Sequence, residues 1–179
     1  MKKCGSIKIT ILMPTFNSES TVAAALASMK HQSFKDYEVI IIENLSTDKT
    51  LSLIESSNIE NVKLISERDT GIYEALNKGV NIASGQYITI LHSTDYYGSE
   101  LCLGNAVHAL ESNNADFCFG VVKMFDDQTK NIVREFYYPN FERSWIKYGY
   151  IPPHPTIVLS SSFIEKNSLN YDEKFVICG

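Results

Sequence analysis

The fold is constrained most by two apolar runs of strand length, residues 7–13 and 37–42. The second run is rich in β-branched side chains, which is typical of a strand covered on both faces. Between the two runs, apolar residues recur at helical spacing: Val22, Ala25, Leu26 and Met29. A strand, a helix and a strand in this order predict two parallel strands joined by a right-handed crossover.

The same alternation continues through the next fifty residues. It predicts a short helix near 51–54, a strand over 62–66, a helix from Ile72 to Ala83 and a strand over 87–91. We expect Gly85 to end the third helix as a left-handed cap.

Beyond residue 98 the pattern changes. It predicts a helix containing Leu101, Val107 and Leu110, a strand over 117–122, a return strand near 132–137, and an ordered aromatic loop over 137–155. The sequence therefore predicts an α/β fold with a mostly parallel central sheet, flanking helices and a small antiparallel addition.

Size and charge limit the function classes. A chain of 179 residues with 44% hydrophobic residues suits one domain over residues 1–179. The net charge is −5 and no basic run is present, so we expect no nucleic-acid partner. The first apolar run is broken by Pro14 and is too short for a secretory signal or a membrane span. A cytoplasmic protein is expected, with peripheral attachment to the inner face of a membrane left open.

Polar residues follow the predicted strands. Asp95 comes after the strand over 87–91, Thr15 and Asn17 end the first strand, and Glu43 follows the second. In open α/β sheets, ligands bind beyond the carboxyl ends of the strands. The pattern predicts a binding site at this edge, although each of these residues could instead form a polar turn.

Three segments together resemble the family-2 glycosyltransferases, which are inverting enzymes of the GT-A fold that use nucleotide-diphosphate sugars. The first segment is ITILMPTFN at 9–17 with ENLSTDKT at 43–50, the second is ERDTGIYEALNKG at 67–79 with ASG at 83–85, and the third is LHSTD at 91–95. Weaker similarity follows at 154–156 and 171–175. The resemblance covers nearly the whole chain in order, and the middle segment is highly specific.

The resemblance implies a set of nucleotide-binding residues. These are Thr15, Asn17, Glu43, Arg68, Asp69, Gly71, Asn77, Lys78 and Thr94. Gly71 is expected to provide close backbone approach or a positive φ, and Asn77 and Lys78 to orient ribose or phosphate. The alternatives are a surface ion pair between Arg68 and Asp69 and a plain helix surface at Lys78. The family usually has two acids where this chain has Glu43 and Asn44, so the nucleobase stays open.

The resemblance also implies a divalent cation, Mg²⁺ or Mn²⁺, at Asp95. Such a cation bridges a carboxylate and the two phosphates and offsets the charge of the departing diphosphate. The family commonly has two adjacent acids here, whereas this chain has Thr94 and Asp95, so we expect weak metal binding without nucleotide. His154 is a second candidate to contact the phosphate or the cation, and a structural histidine is its alternative.

Inverting transfer needs a general base, and the resemblance places that carboxylate beyond Gly179. The sequence therefore leads to the hypothesis of a truncated chain that binds donor but transfers poorly. The resemblance implies a UDP-sugar donor and a growing glycan or lipid-linked saccharide as acceptor. One alternative is a non-catalytic nucleotide-sugar-binding module. The other is a nucleotide-dependent oxidoreductase, which is disfavoured because no GxGxxG motif follows the first strand.

Overall fold

The structure is a computed structural model that describes residues 7–126, 128–138 and 141–175. The strands are β1 Ile9–Thr15, β2 Tyr37–Glu43, β3 Val62–Ser66, β4 Tyr87–Ile90, β5 Phe117–Cys118, β6 Val122–Phe125, β7 Ile132–Phe136 and β8 Val158–Ser160. The helices are α1 Val22–Lys30, α2 Thr50–Ser56, α3 Ile72–Ile82, α4 Cys102–Ser112 and α5 Ser161–Lys166. Two short 3₁₀ helices cover Arg143–Tyr148 and His154–Thr156.

The described residues form a six-stranded sheet in the order β3-β2-β1-β4-β8-β5. The first four strands in this order are parallel, and β8 runs antiparallel to both β4 and β5. A separate antiparallel ribbon consists of β6 and β7. This is the predicted α/β architecture with a small antiparallel addition.

The core lies on both faces of the sheet, as the apolar runs predicted. On one face Ile11 and Met13 of β1 pack with residues of α1, α2 and α4. On the other face Leu12 packs with Ile40 and Ile42 of β2 and with α3. Every residue of β1 and β2 is buried, because helices cover the sheet on each side.

Three predictions for the second half of the chain were incomplete. The strand expected over 117–122 is divided between β5, which joins the main sheet, and β6, which joins the ribbon. Neither β8 nor α5 was predicted, because segments of 3 and 6 residues carry little periodicity. The loop expected over 137–155 contains the two 3₁₀ helices, and its residues 139 and 140 lie outside the described part.

Gly85 is needed for close packing and not for a left-handed cap, which corrects the sequence-based expectation. Helix α3 is followed by Ala83 in an extended conformation, and the φ of Gly85 is not in the left-handed region. A Cβ atom on Gly85 would lie 2.5 Å from the backbone nitrogen of Thr10 and 2.7 Å from the carbonyl carbon of Ile9. The backbone before β4 therefore approaches β1 more closely than any side chain allows.

Gly85→Ala is expected to lower the free energy of unfolding by about 2–3 kcal/mol, because the added methyl group meets backbone that cannot move aside. Urea denaturation of the chain measures this. Gly104→Ala is the matched control, since Gly104 lies in α4 and the nearest atom to its added Cβ is 3.8 Å away. We expect that control to be neutral or stabilising by up to about 1 kcal/mol. Equal stability of Gly85→Ala and the unchanged chain would contradict the packing argument.

No helix within the described ranges is long and apolar enough to cross a bilayer. Cys102 and Cys118 are free thiols, and burial raises the pKa of Cys118. The other two cysteines lie outside the described residues.

Candidate functional site

The register of the sheet brings several strand ends to one edge. Thr15 at the end of β1 lies opposite Glu43 at the end of β2, and Glu43 lies opposite Ser66 at the end of β3. On the other side of β1, the backbone of Leu91 just after β4 donates to the carbonyl of Leu12. The loops that follow β1, β2, β3 and β4 therefore begin side by side.

Glu43 is fully buried and connects two of these loops. Its carboxylate accepts hydrogen bonds from the backbone N–H groups of Leu45 and Ser46 and from the hydroxyl of Ser66. Burial raises the pKa of Glu43, but the hydrogen bonds outweigh it and the net pKa is lowered. The side chain is an anion that fixes the end of β2, a structural role that sequence reasoning did not anticipate.

The loop after β1 is tied to the loop after β2. Asn17 has φ 43° and accepts a hydrogen bond from the backbone of Thr47 at 2.9 Å, while its own N–H donates to Ser46 Oγ at 2.9 Å. Thr15 is buried, and its hydroxyl donates to the carbonyl of Met13 at 3.2 Å. Asn17 is exposed beside the site, whereas Thr15 contributes little surface to it.

The loop after β3 carries a basic side chain, Arg68, and an acidic one, Asp69. Asn44 Oδ1 accepts a hydrogen bond from the backbone of Asp69 at 2.9 Å, and Asp69 Oδ1 accepts one from Gly71 at 3.1 Å. Burial raises the pKa of Asp69. Gly71 has φ 156°, so the predicted positive φ is present. Arg68 is exposed and forms no ion pair with a described carboxylate, which disfavours the alternative of a local Arg68–Asp69 pair.

Helix α3 uses two of the predicted ligand residues for internal contacts. The Asn77 amide donates to Tyr171 O and to Glu173 Oε1, both at 2.9 Å, and accepts from Tyr171 N at 2.9 Å. Asn77 therefore holds the segment around Tyr171 against α3. No local signal predicts this contact, because Asn77 and Tyr171 are 94 residues apart.

Lys78 supports the loop that carries Arg68. Its ammonium group lies 2.9 Å from a carboxylate oxygen of Glu67 and 2.9 Å from one of Glu74, and it donates to the carbonyl of Arg68 at 3.3 Å. The hydrogen bond with Glu67 and then that with Glu74 raise the pKa of Lys78. The spacing of Glu74 and Lys78 on one helix could have indicated this pair.

The loop after β4 is anchored and carries Asp95. The backbone N–H of Asp95 donates to His92 O at 2.9 Å, and Ser93 Oγ lies 2.8 Å from Ser18 Oγ of the β1 loop. Thr94 is exposed and Asp95 is half-buried. The Asp95 carboxylate forms no hydrogen bond with a described residue, so it is available to a ligand.

Two imidazoles lie near this loop. The ring centroids of His92 and His154 are 6.2 Å apart, and His154 Nε2 is hydrogen-bonded to Tyr171 Oη at 3.1 Å. Desolvation lowers the pKa of both histidines, Asp95 partly offsets this at His92, and repulsion between the two protonated rings adds to it at His154. Both shifts favour the neutral imidazoles. Sequence reasoning missed His92, although its position directly after Leu91 at the end of a strand was a usable signal.

The side chains around Asp95 and His154 can be compared with the ligands that the predicted cation needs. Across residues 7–126, 128–138 and 141–175, no cluster of three or more His, Cys, Asp or Glu side chains is placed to hold a metal ion. Asp95 is a single hard oxygen donor. Weak metal binding without nucleotide stays a prediction.

Comparison with known proteins settles the family. The family described as Glycosyl transferase family 2 matches residues 10–170. The chain belongs to this family. An uncharacterized glycosyltransferase of Methanocaldococcus jannaschii is 27% identical over 94% of the chain and 60% of its own length. A poly(ribitol-phosphate) beta-glucosyltransferase of Bacillus spizizenii is 32% identical over 65% of the chain and 19% of its own length.

Solved structures share the fold of this family-2 chain. Staphylococcus aureus TarS 1-349 aligns with a TM-score of 0.76 at 22% identity, over 94% of this chain and 51% of that one. A mannosyltransferase of Pyrobaculum calidifontis, in complex with GDP-Man and Mn²⁺, aligns with a TM-score of 0.66 at 19% identity, over 92% of this chain and 47% of that one. These likenesses establish the GT-A type of α/β fold. The chain spans 60% or less of the length of these curated relatives.

Proposed function

We propose that this chain binds the donor in a glycosyltransferase that moves a sugar from a UDP-sugar to a saccharide or lipid-linked saccharide. One observation carries the proposal: the loops after β1 to β4 meet at one edge and present Arg68, Asp69 and Asp95 in a chain of this family. The transfer is proposed to invert the anomeric centre. The protein is proposed to be cytoplasmic, and a lipid-linked acceptor would bring it to the inner face of a membrane.

The nucleotide is proposed to lie over the ends of β1, β2 and β3. The exposed guanidinium of Arg68 supplies donors for the ribose, base or phosphate, and Asn17 supplies a neighbouring amide. Glu43 shapes this region through the two loops that it joins, because its oxygens already accept three hydrogen bonds. Asn77 and Lys78 support the same region through their internal contacts.

The diphosphate is proposed to lie at Asp95. A carboxylate is a ligand that Mg²⁺ and Mn²⁺ prefer, and Asp95 is half-buried with a carboxylate that forms no hydrogen bond with the described residues. Asp95 would hold the cation, and His154, whose ring centroid lies 6.2 Å from that of His92, would contact the cation or a phosphate oxygen. A bound cation supplies Lewis-acid stabilisation of the departing diphosphate. A glucosyltransferase of Escherichia coli that is 27% identical over 73% of the chain is named for UDP-Glc and a diphosphoundecaprenol-linked acceptor, which supports this choice of substrates.

The acceptor hydroxyl must lose a proton during transfer. Residues 176–179 lie outside the described part, and we assign this role to none of the described residues. Donor binding is the part of the function that the described geometry supports most directly.

UDP with Mn²⁺ is expected to raise the melting temperature of the chain. At a concentration of about 100 Kd the stabilisation is about 2.7 kcal/mol, which corresponds to roughly 5–10 °C for a domain of this size. UMP, which lacks the second phosphate, should produce a smaller shift.

Arg68→Ala should weaken UDP binding about tenfold, since a hydrogen bond to a charged group is lost.

Arg143→Ala is the matched control, because Arg143 is an exposed arginine in the 3₁₀ helix over Arg143–Tyr148. It should leave UDP binding unchanged. A chain that shows no shift with any nucleoside diphosphate in the presence of Mn²⁺ would rule out the proposed donor site. Hydrolysis of UDP-sugar by the chain would further disfavour a purely non-catalytic binding module.

A further inference from the structure

Two aromatic rings form an exposed pair beside the candidate cation site. Tyr96 is 53% exposed and Phe125 is 41% exposed, and their rings stack with centroids 6.4 Å apart and an interplanar angle of 24°. The two residues come from different parts of the chain, the loop after β4 and the end of β6. Large apolar side chains that meet each other at the surface are candidates for ligand contact.

Tyr96 has a fixed position next to Asp95. On one side, the backbone of Asp95 donates to His92 O at 2.9 Å. On the other side, the backbone of Tyr97 donates to Ser28 Oγ of α1 at 3.1 Å, and the hydroxyl of Tyr97 is buried. The ring of Tyr96 is therefore presented from a backbone that is anchored at both ends.

Phe125 lies at an irregularity in the ribbon. The register between β6 and β7 shifts between Met124 and Phe125. Such bulges change the direction of a side chain and occur often beside active sites. Asp126 accepts hydrogen bonds from the backbones of Gln128 and Thr129, and its own N–H donates to Asn131 O at 3.0 Å. These hydrogen bonds hold Asp126 against residues 128–131.

The strand order identifies the ligand that this pair can contact. The proposed nucleotide groups follow β1, β2 and β3, whereas Tyr96 follows β4, which is the next strand beyond β1 in the sheet, and Phe125 stacks on Tyr96. The pair therefore lies beside Asp95, at the side of the candidate site away from the loops after β2 and β3. If the diphosphate lies at Asp95, the molecule on that side is the acceptor.

We propose that Tyr96 and Phe125 form a stacking subsite for a sugar ring of the acceptor. Aromatic faces can pack against the C–H face of a pyranose while its hydroxyl groups stay in water or reach polar neighbours. This inference rests on the proposed function, because the acceptor side is defined by the diphosphate position.

Saturation-transfer NMR with two simple probes tests the subsite. Methyl β-glucopyranoside and methyl N-acetyl-β-glucosaminide are added at millimolar concentration to the chain with UDP and Mn²⁺, and again without them. The unchanged chain should transfer saturation to the C–H protons of at least one probe. Tyr96→Ala and Phe125→Ala should each reduce that transfer about fivefold or more, which corresponds to about 1 kcal/mol. UDP affinity should change less than about twofold.

The controls separate this inference from the proposed function. Tyr148→Ala removes another tyrosine, 79% exposed, from the 3₁₀ helix over Arg143–Tyr148 and should leave the transfer intact. Tyr96→Leu keeps an apolar side chain but removes the ring, so it should lose transfer without unfolding. If the unchanged chain does not bind UDP, the proposed function is contradicted. The subsite is then tested by the saturation-transfer measurement made without UDP and Mn²⁺.

Three outcomes would overturn the subsite. The first is no saturation transfer to either probe by the unchanged chain. The second is equal transfer by the folded Tyr96 and Phe125 variants. The third is a change in the affinity of Tyr96→Ala for UDP-glucose while its affinity for UDP is unchanged. The ring would then contact the donor sugar.

Discussion

Asp95→Ala is expected to abolish the Mn²⁺-dependent part of UDP binding and to weaken the affinity about a hundredfold. Asp95 is the only acid that the LHSTD segment provides, and its carboxylate forms no hydrogen bond with a described residue. No cluster of acidic or imidazole side chains in the described ranges could replace it. A cation that joins a carboxylate to a diphosphate contributes several kcal/mol, and a hundredfold change in Kd corresponds to about 2.8 kcal/mol.

Calorimetric titration of UDP in Mn²⁺ and in EDTA measures this effect. In EDTA the unchanged chain and Asp95→Ala should bind UDP equally, because only the cation-dependent contribution is removed. Asp116→Ala is the matched control, since Asp116 is an exposed aspartate beside β5, away from the β4 loop. A variant that still binds UDP more tightly in Mn²⁺ than in EDTA would show that the cation lies elsewhere.

Glu38→Ala is expected to lower the free energy of unfolding by about 3 kcal/mol. Glu38 is buried and accepts hydrogen bonds at 2.7 Å from Thr10 Oγ1, from the backbone and hydroxyl of Ser84, and from Lys63 Nζ. Removing the carboxylate leaves buried donors without an acceptor, and each such group costs about 1–3 kcal/mol. Lys63 is exposed and can turn to water, so the loss comes mainly from Thr10 and the backbone of Ser84.

The pH dependence of stability isolates the charge of Glu38. Burial raises its pKa, but the hydrogen bonds from Lys63, Ser84 and Thr10 outweigh this and lower the pKa from 4.5 to about 2. A carboxyl group whose pKa is depressed by folding stabilises the fold above the unfolded value and loses that contribution as the pH falls. The loss should therefore occur between pH 4.5 and about pH 2, and it should be on the order of 3 kcal/mol.

Glu38→Gln is the control for that measurement. It keeps an acceptor oxygen for Thr10 and Ser84 but has no proton to gain, so its stability should change less than that of the unchanged chain over this pH range. Urea denaturation at each pH gives both free energies of unfolding. A difference between the two proteins that stays constant from pH 5 to pH 2 would exclude the proposed role of the Glu38 charge.

The Glu38 contacts also explain one of the segments that carries the family resemblance. Within ASG at 83–85, Ser84 donates to Glu38 and the backbone of Gly85 donates to Thr10 Oγ1 at 2.9 Å. These contacts fasten the entry to β4 against β1. The segment therefore positions the strand that leads to Asp95, and its role in the described structure is structural.

Local sequence signals determined the parallel half of the fold and the edge that carries the site. Strands β1 to β4 and helices α1 and α3 were predicted because each has several apolar residues at strand or helix spacing. The positions of Thr15, Glu43 and Asp95 at strand ends followed directly, since parallel strands bring their carboxyl ends to the same edge. The predicted donor-binding roles of these residues stay predictions.

Only the tertiary structure decided which polar groups are free and which are used internally. Asn77 binds the backbone of Tyr171 across 94 residues, and the short strand β8 is placed between β4 and β5. His92 and His154 are likewise brought together by packing, with their rings 6.2 Å apart. Such contacts have no periodic pattern in the sequence, because a side chain or a three-residue strand is held in place by distant neighbours and not by its own local preference.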